Sequence, residues 1–243
     1  MKCMNVIRPN CRVQFTAEDI DFIVSVLRPR VSDSQTLIRL LTDEDTRDLI
    51  LDDEVLLRAV LESRGCLRVS THFYFYILVR HVFRRSGIKE RDVADYVAEV
   101  LAEYSHAQRM ECRVKGRPLD YFFEMLAALQ TADDLTSFYI RAHIGNYSLF
   151  FSGIFPDRIR FRAEFRGCPD LKYYEALGKS SFRVASDHRL ARKYDLARVF
   201  DVLAERFEVT RLALNDLGDR LITLSDSDAG VESLLNSSLK LSN

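Results

Sequence analysis

Between Thr131 and Pro156 the chain runs TADDLTSFYIRAHIGNYSLFFSGIFP. Small residues recur in it at helical spacing: Ala142, Gly145, Ser148, Ser152 and Gly153. In a helix, residues three and four positions apart share a face. A largely apolar helix lined by small side chains lets other helices approach closely on several sides. The spacing therefore predicts a buried helix over 132–155 at the centre of an all-α domain. This restricts the architecture severely and leaves the chemistry open.

The rest of the chain agrees with that architecture. Nine glycines and five prolines in 243 residues leave little punctuation, which favours long helices over a meander of strands. Thr16-Ala-Glu-Asp begins a helix with acids in its first turn. Ile20, Ile23, Val24 and Leu27 lie on one face, and Pro29 ends it. Residues 32–41 read as a second helix, Thr42-Asp-Glu-Asp as a third cap, and 52–63 as a short amphipathic helix. Ser70 and Thr71 cap HFYFYILVRHVFRR, whose first half is apolar all round and so is expected to be buried all round. Its last turn carries Arg80, Arg84 and Arg85. In the helix over 88–106, Val93, Val97, Val100, Leu101 and Tyr104 form an apolar face. Asp92, Asp95, Glu99 and Glu103 form an acidic face expected to meet water.

Pro118 suits a first helical position, ahead of Phe122, Met125, Leu126 and Leu129 on a buried face. Thr131-x-x-Asp134 resembles a capping box and opens the central helix. After Pro156, DRIRFRAEFRG fits either an edge strand or a helix, with the context favouring helix. The helix from Pro169 carries a second small-residue stripe, Gly178, Ser181 and Ala185, which is expected to pack on Gly145, Ser148 and Ser152. Two further helices are expected, over 190–207 and 210–224. The domain is expected to cover 16–224, between an irregular segment over 1–15 and a Ser-rich, frayed tail over 225–243.

Composition narrows the function classes. The chain is 47% hydrophobic, enough to bury a sizeable core. Its 35 basic and 36 acidic residues nearly cancel, so no global attraction to nucleic acid or a membrane is indicated. Of the basic residues 28 are Arg, which makes flat bidentate contacts; a GC-rich genome accounts for that excess. The five cysteines, Cys3, Cys11, Cys66, Cys112 and Cys168, are widely spaced and form no C-x-x-C. Reduced thiols in a cytoplasm are the simplest reading. The longest uncharged apolar run, 142–156, is shorter than the roughly 20 residues a bilayer requires.

Three groupings could carry chemistry. Glu103-x-x-His106 has the spacing of a carboxylate–histidine metal pair, but it stands alone and continues the acidic face, so no metal site is expected. Tyr139, His143 and Asn146 share one face of the central helix. They could line a ligand pocket, although a hydrogen-bonded core network is the commoner fate of such a trio. Arg158, Arg162 and Arg166 share a face whether the segment is helix or strand. That row could engage an anion or an acidic partner protein, or be paired internally with Asp157, Glu164 or the Asp92–Glu103 stripe. The row is not interleaved with aromatics, which counts against single-stranded nucleic acid. There is no G-x-S-x-G, H-E-x-x-H, phosphate-binding glycine loop or dinucleotide fingerprint.

GNYSLFFSGIFPDR and YYEALGKSSFRVA look like segments of an uncharacterised family of bacterial all-helical hypothetical proteins. The resemblance extends from the acidic segment at Thr42–Val60 through the last helix. It implies a bacterial origin and a cytoplasmic location, and brings no activity, cofactor or residue role with it. The reading from sequence is thus a non-catalytic helical interaction or regulatory module with a protein partner or self-association. The alternative is a helical enzyme or ligand binder with its pocket at Tyr139, His143 and Asn146. The cofactor is unknown.

Overall fold

The computed structural model describes residues 6–28, 34–62, 69–105, 112–114, 117–119 and 121–225. A 3-10 turn, Arg12–Gln14, precedes α1 (Ala17–Leu27), α2 (Ser34–Thr42), α3 (Glu44–Leu51), α4 (Glu54–Glu62), α5 (Thr71–Arg85) and α6 (Arg91–Tyr104). A small antiparallel hairpin follows, β1 (Cys112–Val114) and β2 (Arg117–Leu119). Then come α7 (Phe122–Gln130), α8 (Asp134–Ile154), α9 (Pro156–Arg166), α10 (Leu171–Ser186), α11 (Arg189–Lys193), α12 (Ala197–Glu205) and α13 (Phe207–Ser225). The fold is all-α, and 157–166 is helix. No helix among the described residues is long and apolar enough to cross a membrane. The Ser-rich tail beyond Ser225, and the sequence around His106, lie outside the described residues.

Side-chain caps explain five of the helix starts. The side chains of Thr16, Asp43, Ser70, Asp133 and Asp170 each accept a hydrogen bond from the backbone N–H three residues on. Each such cap is worth about 1 kcal/mol. The cap of α8 is Asp133 rather than Thr131, because its carboxylate accepts from the Thr136 N–H at 2.7 Å. Pro118 does not start a helix. It sits in β2 opposite Arg113, where a two-stranded ladder tolerates a residue without an N–H. The single helix expected over 190–207 is broken twice. Asp195 adopts a left-handed backbone, φ 58°, between α11 and α12, and Arg206 separates α12 from α13. The buried set expected there nonetheless holds: Leu196, Val199, Phe200, Leu203 and Phe207 are all in the core.

α8 packs against α10, α13, α7, α9, α6 and β1. Twelve of its residues are buried, among them Ala142, Gly145, Asn146, Ser148, Ser152 and Gly153. The two small-residue stripes meet. A β-carbon added at Gly178 of α10 would lie 2.7 Å from that of Ser148 and 2.5 Å from the Phe207 ring; one at Gly145 would lie 2.6 Å from the Phe182 ring. Both are closer than packed carbons come, so only glycine permits this approach.

The core falls into two parts. The larger is filled by fully buried rings, including Phe73, Tyr76, Phe83, Tyr96, Phe138, Phe182, Phe200 and Phe207. Each such side chain contributes about 1.5–3 kcal/mol of burial free energy. The smaller gathers Phe122, Met125, Ile140 and Ile144, with Tyr147, Tyr174 and Leu177 half-buried around them. α9 borders this second part through its contacts with α8 and α10.

Candidate functional site

The trio on α8 is drawn into the core by two tyrosines of α6. The Tyr96 hydroxyl donates to Asn146 Oδ1 at 2.9 Å, fully buried. The Tyr104 hydroxyl lies 3.2 Å from His143 Nδ1. Tyr139 packs instead on the larger core, its ring edge-on to Phe138. Burial pushes His143 down to about 4, so the imidazole is neutral near pH 7. Its Nε2 has no hydrogen-bond partner among the described residues. The trio is therefore spread over separate partners rather than converging on one point. The missing sequence signal was on the other helix: Tyr96 and Tyr104 are eight positions apart, one face of α6, opposite the polar row of α8.

The acidic face of α6 does not meet water as expected. Asp95 and Glu99 are buried, because the N-terminal segment lies across them. The backbone N–H of Arg12 donates to Asp95 Oδ1 at 2.9 Å, and its Nε to the same oxygen at 3.3 Å. Arg12 Nη1 grips both oxygens of Asp48 at 2.8 and 2.9 Å, and Nη2 reaches Asp92 at 3.4 Å. Gln14 Nε2 donates to Glu99 Oε2 at 2.9 Å, and His72 stands 3.5 Å from the same oxygen.

The seam continues through Arg91, which joins Asp48 and Asp52. It ends at buried Arg80, whose Nε and Nη2 grip Asp52 at 2.8 and 3.1 Å and whose Nη1 donates to the Lys89 carbonyl. Burial raises the Asp95 and Glu99 carboxyls above their usual range, with Arg12 and Gln14 working against it. Burial also lifts Asp52, but Arg80, Arg91 and Arg84 outweigh it and hold this carboxyl low. Asp92, Asp95 and Glu99 thus have partners already, and no ion pair joins them to the arginines of α9 among the described residues.

Those arginines sit differently. Pro156 occupies the first turn of α9, and Gly167 ends it in a left-handed conformation. Arg158 and Arg162 are half-buried and Arg166 is exposed. Asp157, expected as a possible partner, is taken by Arg160 at 2.7 Å. Arg162 and Arg166 make no ion pair among the described residues, and the buried Arg162 Nε has no acceptor there. Burial, then the like charges of Arg162 and Arg166, disfavour the charge on Arg158, while Tyr147 and Tyr174 favour it. Burial raises Tyr174, and Arg162 and Arg158 pull it back. The row is one positive cluster against the tyrosine-lined edge of the smaller core.

Sequence reasoning passed over the neighbours of that row. Phe161 and Phe165 are 55% and 66% exposed, with ring centroids 4.7 Å apart. They occupy the strip of α9 adjoining the arginines, which their i, i+4 spacing already encoded. Tyr121 and Phe123 stack in the open at 5.6 Å, and half-exposed Tyr173 borders Phe122. No group of three or more His, Cys, Asp or Glu among the described residues could hold a metal ion. In comparisons with family models, curated proteins and solved structures, nothing matches the chain.

Proposed function

We propose that this protein is a non-catalytic helical module of a bacterial cytoplasm that docks an acidic segment of a partner protein on α9. The observation that carries this reading is Arg162 and Arg166 without an ion pair among the described residues, beside two exposed phenylalanines. Aromatic and arginine side chains are the residues that most often supply binding energy at protein interfaces. Phe161 and Phe165 would bury apolar area against the partner, and the arginines would set register and sign. The partner is acidic because a basic or neutral one would leave the cluster desolvated and uncompensated. Support for the cytoplasmic part is the buried Cys11 thiol, which donates to the His72 carbonyl at 3.2 Å and which burial holds firmly in its neutral form.

The test is fluorescence anisotropy with a labelled oligoglutamate peptide carrying one Phe. Binding is expected to weaken as salt rises. Replacing Arg158, Arg162 and Arg166 together with Ala is expected to abolish it, and Phe161→Ala with Phe165→Ala to weaken it about tenfold. Unchanged binding by the triple variant would remove α9 as the docking surface.

A further inference from the structure

We infer that the group α9 takes from its partner is a phosphorylated side chain, its phosphate seated on Arg162 and Arg166 beside Tyr174. The inference rests on the docking role proposed above and names the chemistry of the docked group. Arg162 and Arg166 are one helical turn apart, about 6 Å along the axis. Each guanidinium presents a planar fork of donors that matches two oxygens. A carboxylate can accept from two forks, as Asp52 does, but it brings only one negative charge to share between them. A phosphomonoester offers three terminal oxygens and nearly two charges, enough to engage two forks at once.

The surroundings suit such a group. Arg162 Nε is buried and has no acceptor among the described residues, so an incoming oxygen would meet the outer nitrogens of a guanidinium already partly out of water. After burial, the like charges of Arg162 and Arg166 disfavour the charge on Arg158, and a dianion offsets that repulsion more fully than a monoanion. The Phe161–Phe165 pair lies next to the row and would hold the residues flanking the phosphate. The segment is long enough to be a site in itself: α9 runs from Pro156 to Arg166, and the contacts come from its side chains rather than from its end.

The experiment uses the full chain, immobilised, and three labelled peptide pools with the same degenerate flanks. The central residue is phosphoserine, glutamate or serine. The phosphoserine pool is expected to be retained about tenfold more than the glutamate pool. Arg162→Gln and, separately, the exposed Arg166→Gln are each expected to erase that preference, with helicity by circular dichroism unchanged. Equal retention of the phosphoserine and glutamate pools, both above serine, would overturn the phosphate assignment and leave the acidic docking role standing. Retention of none above background would overturn both. Inorganic phosphate protecting the protein against heat as well as the phosphopeptides do, at equal concentration, would place the ligand free in solution and overturn the assignment to a partner.

Discussion

The seam between the N-terminal segment, α3, α5 and α6 and the arginine row of α9 use the same cation in opposite ways. In the seam each guanidinium meets carboxylates of the same chain: Arg12 meets Asp48, Asp92 and Asp95, Arg91 meets Asp48 and Asp52, and Arg80 meets Asp52. In the row, Arg162 and Arg166 meet no acid among the described residues, and two phenylalanines stand exposed beside them. Buried charges are expensive unless paired, and removing one member of a pair costs more than the pair contributed. A chain that pairs its cations so completely on one side shows by contrast what is unfinished on the other. The seam is structure. In the row, two arginines stand without an acid among the described residues, which is what the proposed docking role rests on.

Breaking the seam should give the largest effect. Arg12→Ala strands Asp48 and Asp95 and is expected to cost about 3–5 kcal/mol in urea unfolding. A loss below about 1 kcal/mol would mean that the N-terminal segment is not bound as described.

Changing pH sharpens the comparison, because it acts on the buried groups of the core through His143. The folded value of His143, about 4, lies below the ordinary 6.5. Folding therefore favours the neutral form. This contribution is full above pH 6.5 and is lost as pH falls toward 4, on the order of 3 kcal/mol in total. Asp95 and Glu99 are shifted upward, so they act in the opposite sense and must be kept in place. His143→Phe retains them, and is expected to flatten the loss of stability between pH 6.5 and 4 relative to the parent. Parallel curves for the two proteins would show that His143 protonates freely in the fold.

The smallest effect is expected in the row itself. Arg162→Gln removes a charge that has no acid partner among the described residues, so stability should change by no more than about 0.5 kcal/mol in either direction. A loss of several kcal/mol would make Arg162 a structural residue like Arg12 and erase the distinction between the two regions.

How far each region was legible in the sequence follows from what fixes it. The small-residue stripes of α8 and α10 were legible because helical period decides which residues share a face. The caps at Thr16 and Ser70 were legible as such, whereas α3, α8 and α10 are capped by Asp43, Asp133 and Asp170, one or two residues after the expected Thr42, Thr131 and Pro169. The breaks at Asp195 and Arg206 were not, since the amphipathic pattern over 190–207 continues through them and keeps Leu196, Phe200 and Phe207 buried. The acidic face of α6 was misread for a related reason. Asp95 and Glu99 carry the pattern of a wet face, and only Arg12 and Gln14, more than eighty positions away, turn it inward. On α9 the arginine row was legible in either local geometry, whereas the exposure of Phe161 and Phe165 depended on how the helix was rolled against its neighbours.

The sequence by itself determined the class of the fold, the close contact of α8 with α10, and the clustering of Arg158, Arg162 and Arg166, because periodicity and residue size act within one helix at a time. Only the tertiary structure decided which charges are paired, which polar groups of α8 find a tyrosine on α6, and which aromatic pair stays in water. Those outcomes depend on distances between segments far apart along the chain, and a burial penalty is set by everything that surrounds a group at once.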